Sequence, residues 1–229
     1  MSGTLALLGG GEWTDGVTLD ARLAAEAAEA GGGAVTILPA ATAYENPGAR
    51  LDRAREVFAG LGVDVRVLEV YQRSQASDPR LVREAGEAGW LYLTGGSPMH
   101  LRSVLYQTPL WEAIHGAFQQ GSTLVAAGEA GSVLCDAMGD PRGGAFTVGL
   151  NMIDTLSVLP HYEHWSEETL HRTVRLAPAG LPVVGLDART ALVRAPEGTW
   201  DVEGPGRVAV FVDGHPAEVS DLPARLRRA

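Results

Sequence analysis

Three stretches of the 229-residue chain set small residues around groups able to do chemistry. In Val125-Ala126-Ala127-Gly128-Glu129-Ala130-Gly131-Ser132, an apolar run passes into a helical pattern with no loop between. Small residues flanking one functional side chain at such a turn follow the grammar of a nucleophile elbow. Here the presented side chain reads as Glu129, with the next N–H, from Ala130, aimed at the same point. In Leu93-Thr94-Gly95-Gly96-Ser97-Pro98, two glycines end an apolar run, and their amides can form half of an oxyanion hole. The same residues also suit an ordinary turn with Ser97 as helix cap and Pro98 at the first helical position. Gly9-Gly10-Gly11-Glu12 ends the first apolar run and lacks G-x-G-x-x-G spacing. Its glycines equally serve a turn that needs positive φ.

These stretches must be held by regular elements. Short apolar runs at Thr4–Leu8, Ala34–Leu38, Val63–Leu68, Trp90–Thr94 and Ser122–Ala127 alternate with helical patterns at Asp20–Ala30, Pro47–Leu61, Pro79–Ala88, Pro98–Tyr106, Pro109–Gln120 and Ala130–Met138. Strands alternating with helices predict a doubly wound α/β domain with a largely parallel central sheet. Beyond residue 145 the pattern is β-rich, with runs at Phe146–Leu150, Thr155–Leu159, Val183–Leu186, Ala191–Val193 and Val208–Val212 and one helix near Ser166–Leu176. That predicts a β-rich C-terminal extension. No low-complexity linker or internal repeat divides the chain, so residues 1–229 read as one domain. Ligands of open α/β sheets bind outside the carboxyl ends of the strands, which is where the three stretches fall.

The motifs resemble the dipeptidase E and cyanophycinase family of serine peptidases, within the class I glutamine amidotransferase-like fold. The resemblance rests on the glycine run Leu8–Glu12, the Gly-Gly strand end at Leu93–Ser97, an elbow of the form Gly-x-Ser-Ala-Gly-Ala, and His161-Tyr162. It runs in order from the start to about residue 190. It implies that His161 is the catalytic histidine and that Gly96 and Ala130 amides serve the oxyanion, with Gly95, Ser97, Gly10 and Gly11 lining the site. Family substrates are aspartyl dipeptides and an aspartate–arginine polymer. The elbow pattern departs at its centre: Ala127 falls at the first glycine, Gly128 at the variable position, Glu129 at the serine and Ser132 at the final alanine. A carboxylate has no hydroxyl proton to surrender to a histidine, so ordinary serine peptidase chemistry is not expected. On this register Glu129→Ser restores the nucleophile. Ser132, one helical turn on, is a weak alternative nucleophile, and Cys135, another turn on, is expected to be buried. Asp136 and Asp140 are the candidates for the acidic third member.

Several functions stay open. The protein is a catalytically silent relative whose cleft binds a small cationic or peptide-like ligand. Alternatively it is a hydrolase in which Glu129 acts as general base on water, or in which Ser132 works with His161. His161, Glu163, His164, Glu168 and His171 also fall within eleven residues, but no HExxH is present, so no metal is assigned. Trp13, Trp90, Trp111, Trp165 and Trp200 leave room for an interaction or scaffold protein, a homo-oligomer included, although tryptophan is more often buried.

Composition closes off other classes. The net charge is −10, and the one dense basic cluster is Arg225, Arg227 and Arg228, so neither nucleic acid nor an anionic membrane is expected as partner. All 18 basic residues are arginine, which excludes a Schiff-base lysine, pyridoxal-phosphate chemistry and the lysine-dependent P-loop. No cofactor is called for. The single Cys135 excludes an internal disulfide and a CxxC pair. With no apolar run near the roughly 20 residues of a membrane span and no signal-type N-terminus, a cytoplasmic location is expected.

Overall fold

The computed structural model describes residues 2–29, 31–140 and 144–227. Its strands are β1 (Leu5–Leu8), β2 (Val35–Leu38), β3 (Val65–Val67), β4 (Trp90–Leu93), β5 (Thr123–Ala127), β6 (Ala137–Gly139), β7 (Phe146–Val148), β8 (Ser157–Pro160), β9 (Val183–Leu186), β10 (Ala191–Arg194), β11 (Trp200–Glu203), β12 (Val208–Val212) and β13 (His215–Ala217). Its α-helices are α1 (Leu19–Glu29), α2 (Pro47–Gly60), α3 (Pro79–Gly86), α4 (Pro98–Leu105), α5 (Pro109–Gln119), α6 (Glu129–Leu134) and α7 (Glu167–Leu176). The first five apolar runs form β1 to β5 of the central sheet, whose order is β11-β10-β1-β5-β4-β2-β3.

Five of those strands, β1 to β5, are mutually parallel. β1, β2, β4 and β5 are almost wholly buried, as strands covered by helices on both faces must be. One core layer gathers Leu5, Leu7, Leu91, Leu93 and Leu124 with α3, α4 and α5; the other gathers Ala6, Leu8, Ile37 and Tyr92 with α1 and α2. The alternation of strand residues between the two layers is the period-two geometry of a pleated strand.

The C-terminal β segments do more than extend the domain. β10 pairs antiparallel with β1, and β11 with β10, so this hairpin completes the central sheet. The remaining strands form a second sheet, β13-β12-β9-β8, and β6 pairs with β7. The helix expected over Ala130–Met138 stops at Leu134, because Cys135 is extended and Ala137–Gly139 turns into β6. Among the described residues no helix is long and apolar enough to cross a membrane. Arg228 of the basic cluster lies outside the described residues, as does Ala30 at the end of the first expected helix.

Candidate active site

The site forms where β1, β4, β5 and β8 end on one side of the molecule. β5 finishes at Ala127, α6 starts at Glu129, and Gly128 alone makes the bend, with φ 52° and ψ −130°. Gly128 donates its N–H to Leu8 O at 2.7 Å, which ties the bend to the end of β1. The glycine turn after β1 brings Gly10 against the His161 ring: a Cβ at Gly10 would stand 2.1 Å from His161 Cε1. Gly96, with φ 134°, approaches Ala41 so closely that a Cβ would stand 2.6 Å from Ala41 O. Both positions therefore require glycine for space as well as for backbone angle. His161 itself has φ 50° and donates its N–H to Gly9 O at 2.9 Å.

Glu129 and His161 come together. Glu129 Oε1 lies 3.8 Å from His161 Nε2, and Glu129 Oε2 accepts a hydrogen bond from the Gly96 N–H at 3.3 Å. The neighbouring Gly95 N–H donates to Glu12 Oε1 at 3.1 Å, and Arg50 Nη1 lies 2.6 Å from that same oxygen. The two amides of the Gly-Gly turn thus each meet one of the chain's own carboxylates. Hydrogen bonds from backbone N–H groups to carboxylates are among the stronger kind. Ser97 is used structurally: its Oγ accepts from the His100 N–H to cap α4, and its N–H donates to Ala41 O.

Glu163 Oε1 stands 3.9 Å from His161 Nδ1, on the side where a third acidic member would orient the ring. Asp136 and Asp140 flank β6 instead. Glu163 also accepts from the Ala188 N–H at 2.9 Å, which fixes its position. His164, though exposed, stacks on His161 with ring centroids 6.3 Å apart and has its Nε2 3.6 Å from Glu163 Oε1, whereas Glu168 and His171 are exposed on α7. Among the described residues no three of His, Cys, Asp and Glu gather as a metal-binding group.

Glu129 and His161 stand on the partition between two cavities. One, of about 330 Å³, is walled by Pro98, Leu159, Pro160 and Trp165, with His164, Ser166 and Thr169 at its edge. Ser132 lines it too; the residue is buried and its hydroxyl has no hydrogen-bond partner. The other, of about 700 Å³, is charged, with Glu12, Glu45, Arg50 and Arg53 beside Gly11, Gly95 and Gly96. Ala130 is fully buried in α6. Cys135 is fully buried as well, and burial pushes its thiol up to about 12, so it is no nucleophile at neutral pH. Glu12, Arg50 and Glu163 were not legible as a group. Glu12 adjoins the glycine run, but Arg50 lies 38 residues away on α2, and no local pattern links them.

A largely parallel sheet, the one-residue bend at Gly128, and Glu129 set between His161 and the Gly96 amide together define the site. The chain belongs to peptidase family S51, whose profile matches residues 5–199. It is 25% identical over 188 residues to a cyanophycinase of Nostoc sp., covering 77% of this chain and 62% of that relative. It is 27% identical over 197 residues to a cyanophycinase of Geminocystis herdmanii, covering 79% and 69%. The chain therefore spans about three-fifths of the length of the Nostoc protein. Among solved structures it is similar to a peptidase from an acI-B1 actinobacterium, with TM-score 0.79, 26% identity, and 93% and 92% of the two chains covered. It also shares its fold with a protein described as peptidase E from Listeria monocytogenes, at TM-score 0.62, 17% identity, and 93% and 99% coverage.

Proposed function

We propose that this family member does not perform the covalent serine-peptidase step and instead binds a small peptide- or amino-acid-like ligand across the Glu129–His161 partition. One observation carries the reading: the Glu129 carboxylate occupies the Gly96 amide and faces His161 Nε2. That amide is the donor an oxyanion would need, and a carboxylate already seated on it opposes a second negative charge. Neither Gly128 nor Glu129 has a hydroxyl to attack a carbonyl. A ligand with an ammonium or guanidinium group suits Glu129. Its uncharged portion suits the smaller cavity, and a polar end suits the arginine-bearing one.

The hydrolase reading keeps one supporting observation. His161 lies between two carboxylates, Glu129 at Nε2 and Glu163 at Nδ1, an arrangement compatible with a base acting on water. Against the scaffold reading, Trp13, Trp90 and Trp111 are core residues, and Trp165 and Trp200 are partly buried against the core. The deciding experiment treats purified protein with a fluorophosphonate probe and with aspartyl dipeptides, then measures binding of aspartyl-arginine by calorimetry. The expected result is no labelling, no turnover, and binding that weakens at least about tenfold in Glu129→Gln, the scale of a lost charged hydrogen bond. Turnover of the dipeptide that Glu129→Gln abolishes would establish the hydrolase instead.

A further inference from the structure

We infer that Gly128, rather than Glu129, stands where a nucleophilic side chain belongs, so that the chain lacks its nucleophile by having no side chain at the apex. The register read from sequence put Glu129 there; the backbone moves the apex by one residue. β5 ends at Ala127 and α6 begins at Glu129, which leaves Gly128 as the whole turn. Its φ of 52° and ψ of −130° are open to glycine but strained for any residue with a Cβ, the kind of conformation an elbow imposes on the residue it presents.

Direction agrees with position. A Cβ built on Gly128 points into the cleft and stands 3.6 Å from His161 Nε2, 3.5 Å from Gly95 Cα and 3.9 Å from Gly10 Cα. Those are ordinary contact distances, unlike the overlaps at Gly10 and Gly96. Gly128 is thus a glycine of this cleft where a side chain fits, and one more bond from that Cβ brings an oxygen or sulfur within hydrogen-bond reach of the imidazole. The small-x-apex-x-small spacing also falls on Ala126-x-Gly128-x-Ala130, whose two flanking alanines are fully buried. Glu129 is then the residue after the apex. Its carboxylate reaches the cleft by folding back onto Gly96, not by being presented. This inference stands on backbone geometry and is independent of which ligand the cleft binds.

Cysteine substitution tests it cleanly, because the native Cys135 is buried and unreactive. Gly128→Cys and Glu129→Cys are prepared alone and with His161→Ala, and the rate of iodoacetamide alkylation is followed against pH. A thiol beside His161 ionises below the ordinary value of about 8.5. The expected result is a midpoint for Gly128→Cys lowered by about one pH unit or more, and returned by His161→Ala. Glu129→Cys should show an ordinary midpoint that His161→Ala does not move, since its sulfur stands at the Glu129 Cγ position, two bonds short of the carboxylate oxygens. The reverse pattern, or a Gly128→Cys profile indifferent to His161, overturns the inference. Should circular dichroism show that Gly128→Cys does not fold, Glu129→Cys decides: a His161-dependent thiolate there overturns the inference, and an ordinary thiol upholds it. Peptidase turnover in the wild type bears on the proposed function and leaves this result unaffected.

Discussion

Carboxylates seated on backbone amides govern the cleft. Glu12 is the more deeply placed, with its side chain 6% exposed, and it joins the Gly95 amide to Arg50. Replacing Glu12 by alanine leaves the Gly95 amide without its acceptor and Arg50 with only the more distant Glu45 carboxylate, at 3.9 Å. We expect a loss of about 1–3 kcal/mol in urea denaturation, the usual cost of an unsatisfied buried donor. Gly10→Ala should act differently. Its new methyl would press into the His161 ring, so the ring must rotate or the turn must shift, at about 1–3 kcal/mol. Binding of aspartyl-arginine should fall with it, while Gly31→Ala, a control with positive φ but no atom within 4 Å, should leave binding unchanged. The residue types of the site were legible because glycine pairs, a histidine after a strand and small residues at a turn are local signals. The apex inferred at Gly128 was not, because Ala130-Gly131 matches the expected motif by letter while backbone angles alone distinguish Gly128 from Glu129.

Elements carry a second electrostatic feature. Asp20, in the first turn of α1, is buried, and neither carboxylate oxygen has a hydrogen-bond partner. Burial foremost, then Glu12 and Glu203, raises its pKa from 3.8 to about 7. A raised folded-state pKa means that the protonated form is favoured on folding. The associated stability is complete below about pH 4 and disappears as pH rises through 7, up to about 4 kcal/mol in all. Denaturation of wild type and Asp20→Asn between pH 4 and pH 8 should therefore show the variant gaining on the wild type as pH rises. A second element-scale expectation concerns α4: Ser97→Ala removes a cap and should cost about 1 kcal/mol in thermal denaturation. Most elements were readable, since parallel strands are short apolar runs and Ser97 before Pro98 marks a helix start. Trp200–Glu203 and His215–Ala217 were missed because half-exposed edge strands carry little apolar signal.

Across the whole molecule, distant parts of the chain meet at Arg194. This largely buried side chain on β10 donates to Ala224 O through Nε and Nη2, at 2.8 and 2.6 Å, and to Ser2 Oγ at 3.1 Å. Trp200 Nε1 adds a bond to Pro223 O at 2.9 Å. Arg194→Ala should release the segment near Pro223, read as faster trypsin cleavage at Arg225 with the remaining domain intact. The place of β10 in the central sheet was not legible, because its pairing with β1 spans nearly the whole sequence and depends on topology. The cleft rim is joined in the same long-range manner. Gly128 bonds Leu8, His161 bonds Gly9, Arg189 bonds Gly10 and Ser97 bonds Ala41, each through a peptide amide. A clasp made from main-chain groups is indifferent to the side chains beside it. Evolution can therefore rewrite the reactive letters of such a crevice while its outline persists, and a lineage can change occupation without having to rebuild its hands.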